Sequence, residues 1–474
     1  MSQARAVASN TIVQIAGRFA GNLLGVVTIA VMMRSLGTDG FGAYTTTVSF
    51  LQFFGILVDF GLTLTMARMI SDDSHNEGRM ASNVLTLRLF SAMVFFGLAP
   101  IVGLLFPYPP LVKTAIAVGA LSFFTMTVSQ VLTGIFQKHL ATSRSALADT
   151  CGRVTLLAGV VFASVTGAGL LPVIASLVAG NAVQFGISFY YARKLTKLEL
   201  AFDMAMWRTI IKESWPIGLS IAFNLVYLKG DVVILSLLRP QAEVGLYGAA
   251  YKVLDVITVI PTIFMGLMLP ILARAWAAGN HEEFRRKLSK AFDALSLIAL
   301  PLAFGTFVVA RDLMSFVGGG RFANSGLYLG ILMIAGAAVF WSALFGYSVV
   351  AMGMQKKMIG AYAVDAALSL ALYAYAIPRY GATGAAWVTV FSECFIALIT
   401  AAAVLSTLRH MPKLGVFMKA TAASALMAVS VWLAAPLNVL VRVAIGGGVY
   451  VALVIAFGAV TKETLASFKK TAVQ

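Results

Sequence analysis

Apolar runs of roughly 20 to 28 residues follow one another along the whole chain, separated by short polar stretches. Each run is long enough to cross a hydrocarbon layer about 30 Å thick as a helix. In such a layer the backbone must satisfy its own N–H and C=O groups within the segment, which selects helix for every run. The pattern predicts an all-α integral membrane protein with about fourteen spans, near 9–33, 43–67, 81–105, 112–136, 146–166, 170–192, 214–238, 245–272, 291–310, 327–352, 358–377, 383–407, 414–434 and 439–460. The first run is longer than a signal-peptide core and is expected to stay as a span.

The pattern also repeats. Arg34-Ser35-Leu36-Gly37 and Phe41-Gly42-Ala43-Tyr44 close the first span and open the second. Six spans later Leu238-Arg239-Pro240 is followed by Val244-Gly245-Leu246-Tyr247. Gly134-Ile135-Phe136-Gln137-Lys138 after the fourth span is echoed by Gly353-Met354-Gln355-Lys356 after the tenth. Six spans return a chain to the same side, so the echoes predict two six-helix lobes, 1–200 and 201–412, with two further helices in 413–474. Membrane transporters are often built from such repeats.

Composition and charge narrow the function. Hydrophobic residues make up 60% of the chain and charged ones 11%, with a net charge of +16. The charge is unevenly placed. Segments on the N-terminal side carry roughly three times the Lys and Arg of those opposite, the bias that marks a cytoplasmic face. Both termini are therefore expected in the cytoplasm, and a nucleic-acid role is not. Cys151 and Cys394 fall inside spans, and His75, His139, His281 and His410 are scattered, so no disulfide or zinc site is expected. There is no phosphate-cradling Gly-x-x-x-x-Gly-Lys-Ser/Thr loop and no nucleophile–base set, so the chain is not expected to be an enzyme. Any transport is expected to draw on an ion gradient, the membrane potential or the substrate's own gradient.

Ionisable residues inside spans are costly and mark candidate sites. Asn10, Gln14, Arg18 and Asn22 stand four apart on one stripe, with Gly17, Gly21 and Gly25 close by. Arg18 is about 13 Å deep at 1.5 Å per residue. A cavity-lining strip and a hydrogen-bonded helix seam both fit this pattern. Asn224 and Asp231 share a stripe in the seventh span, while Lys229 faces away from it and is expected to snorkel or pair with a neighbouring helix. Lys252 and Asp255 are placed to pair along one helix. Asp59, Arg88, Arg153, Asp365 and Glu393 complete the set.

The run Met33-Arg34-Ser35-Leu36-Gly37-Thr38-Asp39-Gly40-Phe41-Gly42-Ala43-Tyr44 resembles the opening motif of Wzx-type polysaccharide and oligosaccharide flippases. So do Asp59-Phe60-Gly61-Leu62 with Ala67-Arg68, and Tyr380-Gly381-Ala382-Thr383-Gly384-Ala385-Ala386. The resemblance covers about the whole chain. It implies two lobes in a V around a cationic cavity in a bacterial inner membrane. The implied substrate is an undecaprenyl-diphosphate-linked oligosaccharide, moved from the cytoplasmic to the outer leaflet for O-antigen, capsule or exopolysaccharide synthesis. A polysaccharide polymerase and chain-length machinery are implied partners. Arginine suits phosphate geometry, so Arg18, Asn22, Arg88, Arg153, Asn224, Lys229 and Lys252 are the expected substrate-binding residues. Asp231, then Asp255, Asp59 and Asp365, are the expected proton or sodium sites, with no other cofactor. A multidrug exporter or a peptidoglycan lipid-precursor flippase of the same superfamily is the alternative. A sugar-polymerising membrane enzyme fits poorly with the short outer loops.

Overall fold

The computed structural model describes residues 3–63, 77–139 and 141–459, without the side chains of 3–20, 77, 216–217 and 219–228. The described chain is helical: α1 (Gln3–Asp59), α2 (Glu77–Leu105), α3 (Pro110–Lys138), α4 (Thr142–Val165), α5 (Leu170–Ala192), α6 (Met204–Leu238), α7 (Gln241–Ala277), α8 (His281–Gly318), α9 (Ser325–Ala351), α10 (Gln355–Leu408), α11 (Gly415–Leu433) and α12 (Val439–Ala456). Eleven of these helices are long and apolar enough in their described residues to cross a membrane. Two of the eleven are double. α1 breaks at Gly37 (φ 66°) and α10 at Gly381 (φ 59°). Counting each limb, and adding the 35-residue α6, accounts for all the spans read from the sequence. Large apolar side chains such as Leu105, Val165 and Leu398 face outward, as a lipid solvent allows.

The two breaks show how the connections are made. The residues between the first two expected spans form no loop. Glycine alone takes the left-handed φ at Gly37 cheaply, so one residue redirects the helix, which resumes at once. At the other end of the second limb, Phe60 (φ 35°) and Gly61 (φ 80°) end the helix at Asp59, well before the expected boundary.

Contacts divide the chain into two compact units, Met1–Gly245 and Leu246–Gln474. The expected division at 200/201 followed the repeat. The contacts instead keep α6 with the first unit, because it packs on α1 and α2.

In the first unit α3, α4 and α5 pack on one another and on α1. Small residues set the α4–α5 spacing. A Cβ on Gly152 would lie 2.8 Å from the Gly180 carbonyl oxygen, and one on Gly180 would lie 2.7 Å from that of Gly152. Such close backbone approach is how membrane helices gain contact without a hydrophobic driving force. The repeat-equivalent glycines Gly42 and Gly245 are closer still. A Cβ on Gly42 would come 1.8 Å from the Gln241 carbonyl oxygen, and one on Gly245 would come 2.0 Å from that of Thr38. Thr46 fastens the same crossing by donating to Gln241 Oε1 at 2.8 Å.

Outside the spans, residues 197–203 are strapped to the first turns of α2. Glu199 N donates to Ser82, Ala201 N to Thr86 and Asp203 N to Asn83. Asp203 caps α6 by accepting from Met206 N at 3.1 Å and pairs with Arg79 at 2.6 Å. Those contacts, the Met206 amide first, hold its carboxyl below the ordinary aspartate range.

In the second unit α8, α9 and α10 form the core, and α11 and α12 lie against α8. Arg442, an unexpected charge within an apolar span, donates Nε to the Val431 carbonyl and pairs through Nη1 with Asp312. That pairing is how the span tolerates it.

Candidate functional site

Two neighbouring cavities open in the first unit. The larger, about 580 Å³, is lined by Gln52, Asp59, Thr63, Phe123, Met126, Thr127, Gln130, Thr133 and Lys229 from α1, the turn after it, α3 and α6. The smaller, about 300 Å³, is bounded by α3, α4 and α5 and lined by Ser129, Ser145, Asp149, Arg153, Asn181, Gln184 and Ser188. Met126, Gln130 and Thr133 belong to both. The polar wall follows helical spacing. Asn181, Gln184 and Ser188 share a face of α5, and Ser145, Asp149 and Gly152 share a face of α4.

A network centred on the fully buried Arg88 forms part of the wall of the larger cavity. Arg88 pairs with Asp59 at 2.7 Å. Its Nε donates to the Thr127 carbonyl, Nη1 to the Val58 carbonyl, and Nη2 to Thr63 Oγ1 and Gln130 Oε1. All five guanidinium N–H groups are thus committed to the protein. Asp59 also accepts from Gly61 N and Thr63 Oγ1. Arg88, expected among the substrate-binding residues, has no N–H left for a phosphate. Asp59, expected as an ion site, is already neutralised.

Arg153 is placed differently. Its Nε pairs with Asp149 Oδ2 at 2.9 Å, and Nη1 donates to the Gly21 carbonyl at 2.9 Å. The absent side chains of Gly21 and Gly25 make room for the guanidinium, which lies within 3.1–3.3 Å of where their Cβ atoms would be. Those glycines, read from sequence beside the Arg18 stripe, accommodate a different arginine.

The seventh span also reads differently. Lys229 lines the larger cavity, whereas Asp231 is fully buried, accepts from Val232 N at 2.7 Å and lines neither cavity. The expectation had favoured Asp231 as the cavity residue. The side chains of Arg18 and Asn224 lie outside the described residues, and Asn22 is exposed.

In the second unit Lys252 meets Asp255 at 3.6 Å, the intrahelical pair that spacing predicts. Asp365, on the first limb of α10, is fully buried and accepts from Ser392 Oγ at 2.8 Å. The Ser369 hydroxyl lies near the same carboxylate, whose Oδ1 has no cation or amide partner among the described residues, and Glu393 lies beside Ser392, also buried. Among the described residues no Lys, Arg or His pairs with either carboxylate. No cluster of three or more His, Cys, Asp or Glu is placed to hold a metal among those residues.

Sequence reasoning missed Gln130, Asn181 and Gln184. The signal was present in the 181/184/188 spacing, but neutral amides in a span carry less insertion cost than charges and drew less attention.

The fold is that of a multi-pass membrane protein, with polar side chains in the walls of two cavities of its first unit. The solved structures it resembles share that architecture. One is the lipid II flippase MurJ in an inward closed conformation (TM-score 0.79, 13% identity, 94% of this chain and 98% of that one). Another is a multidrug resistance MATE family transporter of the MOP superfamily (TM-score 0.70, 12% identity, 84% and 98%). The chain belongs to the polysaccharide biosynthesis protein family, whose model matches residues 7–276. Two relatives are described as "Putative O-antigen transporter". The one from Shigella flexneri is 24% identical over 80% of this chain and 93% of its own length. The one from Shigella dysenteriae is 22% identical over 81% and 96%.

Proposed function

We propose that this protein is a flippase that carries an undecaprenyl-diphosphate-linked oligosaccharide from the cytoplasmic to the outer leaflet of a bacterial inner membrane. The polysaccharide biosynthesis family and the O-antigen transporter relatives support this reading of the substrate class. The observation that carries the reading is a pair of neighbouring cavities, one with Lys229 and the other with Arg153 in its wall, set among helices apolar enough to span a bilayer. A polar headgroup crossing lipid needs such a surface, because desolvating its phosphates and hydroxyls without partners is costly. The negative-inside potential favours outward movement of an anion by about 2.3 kcal/mol per charge per 100 mV.

Coupling to a proton or sodium ion fits Asp365. It is a fully buried carboxylate without a cation partner among the described residues, with the Ser392 and Ser369 hydroxyls beside it. Cytoplasmic termini and a polymerase acting on the delivered units belong to the same reading.

A deletion strain tests it. Lipid-linked oligosaccharide is expected to accumulate on the inner leaflet, inaccessible to a glycosidase added outside intact spheroplasts. Normal outward delivery in the deletion would refute the assignment.

A further inference from the structure

The flippase reading leaves open what the smaller cavity takes, and the hydrogen-bond partners of its wall bear on that question. Gln130 is held by its carbonyl oxygen, which accepts from Arg88 Nη2 at 2.9 Å, so its amide N–H groups face the two cavities. Asn181 is held by its nitrogen, which donates to Ser122 Oγ at 2.7 Å and to the Ser122 carbonyl, so its Oδ1 is presented as an acceptor. Gln184 Nε2 reaches Asp149 Oδ1 at 3.5 Å, which leaves Gln184 Oε1 as a second acceptor. Arg153 spends Nε on Asp149 and Nη1 on the Gly21 carbonyl. Its Nη2 has no acceptor among the described residues and supplies donors.

Donors and acceptors therefore both line one space of about 300 Å³ with a carboxylate in its wall. A phosphate diester or diphosphate offers acceptors only. Asp149 and the two amide oxygens would repel it, and Asp149 already cancels much of the Arg153 charge. A sugar hydroxyl both donates and accepts, and a ring of neighbouring hydroxyls needs this kind of mixed wall. Met126 adds an apolar surface for a ring face.

We propose that the smaller cavity, between α3, α4 and α5, is a saccharide subsite. It binds one uncharged sugar ring of the transported lipid through Gln130, Arg153, Asn181 and Gln184, and does not bind its diphosphate.

Full-length protein in detergent is titrated with two probes: lipid-linked oligosaccharide extracted from cells lacking the protein, and undecaprenyl diphosphate. Gln184→Met keeps the length of the side chain, and Asn181→Ala only shortens one. Wild type is expected to bind the glycosylated lipid about tenfold more tightly than the bare one, and each variant to remove most of that preference while shifting bare-lipid affinity by less than about twofold. Equal wild-type affinity for both probes overturns the subsite and leaves the flippase reading standing, as does an undiminished preference in both variants. A variant that keeps the preference but loses affinity for both probes alike shows the cavity holding the diphosphate and also overturns it. A wild type that binds neither probe overturns the flippase reading, and the subsite with it.

Discussion

Arg88 in the first unit sits fully buried with every N–H occupied, 2.7 Å from the carboxylate that neutralises it. Asp365 in the second unit is equally buried, yet it meets only the Ser392 hydroxyl at 2.8 Å and the nearby Ser369 hydroxyl, and no cation pairs with it among the described residues. Both are charges in helices that span lipid, and on cost alone neither should be there. In the first unit the charge, its counter-charge and their hydrogen bonds form a closed set, which fixes α1 against α2 and α3 and orients Gln130 toward the cavities. In the second unit the set is open. An open carboxylate in a dry interior attracts whatever cation or proton can reach it. A closed set is therefore read as architecture, and an open one as a place of exchange.

Breaking the closed set should have the largest effect. Arg88→Leu removes the counter-charge of Asp59 and leaves the Thr127 and Val58 carbonyls without their donor, and is expected to cost about 3–5 kcal/mol, seen as a sharply lowered melting temperature in detergent. The double variant Arg88→Leu/Asp59→Leu should recover a large part of it. A single variant as stable as wild type would show that the pair is not structural. Next comes the crossing at Gly42, where alanine forces a Cβ into the Gln241 carbonyl. About 1–3 kcal/mol is expected, again read by thermal unfolding.

The open set should respond in function and not in stability. Asp365→Asn is expected to leave the melting temperature unchanged or slightly raised, and to flatten the dependence of glycan export on the imposed proton or sodium gradient. Asp255→Asn, whose charge is already paired along its helix, should change stability by less than about 1 kcal/mol and leave the ion response intact. If the two exchange phenotypes, the distinction between open and closed sets fails.

A smaller effect belongs to the strap at Asp203. Its carboxyl is held below the ordinary range by the Met206 amide and Arg79, so the stabilisation it gives is present at and above the ordinary aspartate pKa and is lost as pH falls through the depressed folded value. Asp203→Asn should lessen acid sensitivity of the strap, measured by amide exchange at Glu199 and Ala201, and slightly lower its protection at neutral pH, where the carboxylate's stabilisation is lost.

The comparison also shows what a sequence can carry. Apolar runs determine where helices lie, because a bilayer demands a length and a composition that a single sequence displays. The sixth span was read as 170–192 and forms α5 over those residues. The turn at 34–42 was not legible, since redirecting a helix through one glycine leaves the same residues that a loop would. Lys252 and Asp255 were legible as a pair because both lie on one helix. The partners of Arg88 were not, because they come from α1, the turn after it and α3, and periodicity places residues on a face without saying what the face meets. Lys229 illustrates the same limit. Helix geometry separates it from Asp231, but which of the two directions led to a cavity depended on α1 and α3.

The most direct test is translocation by the purified protein. Proteoliposomes loaded with lipid-linked oligosaccharide are followed by the fraction of glycan that becomes accessible to an external glycosidase. Accessibility should rise well above that of protein-free vesicles, respond to an imposed ion gradient in the wild type, and lose that response in Asp365→Asn. Accessibility no greater than in empty vesicles, with correctly folded protein present, would contradict the account.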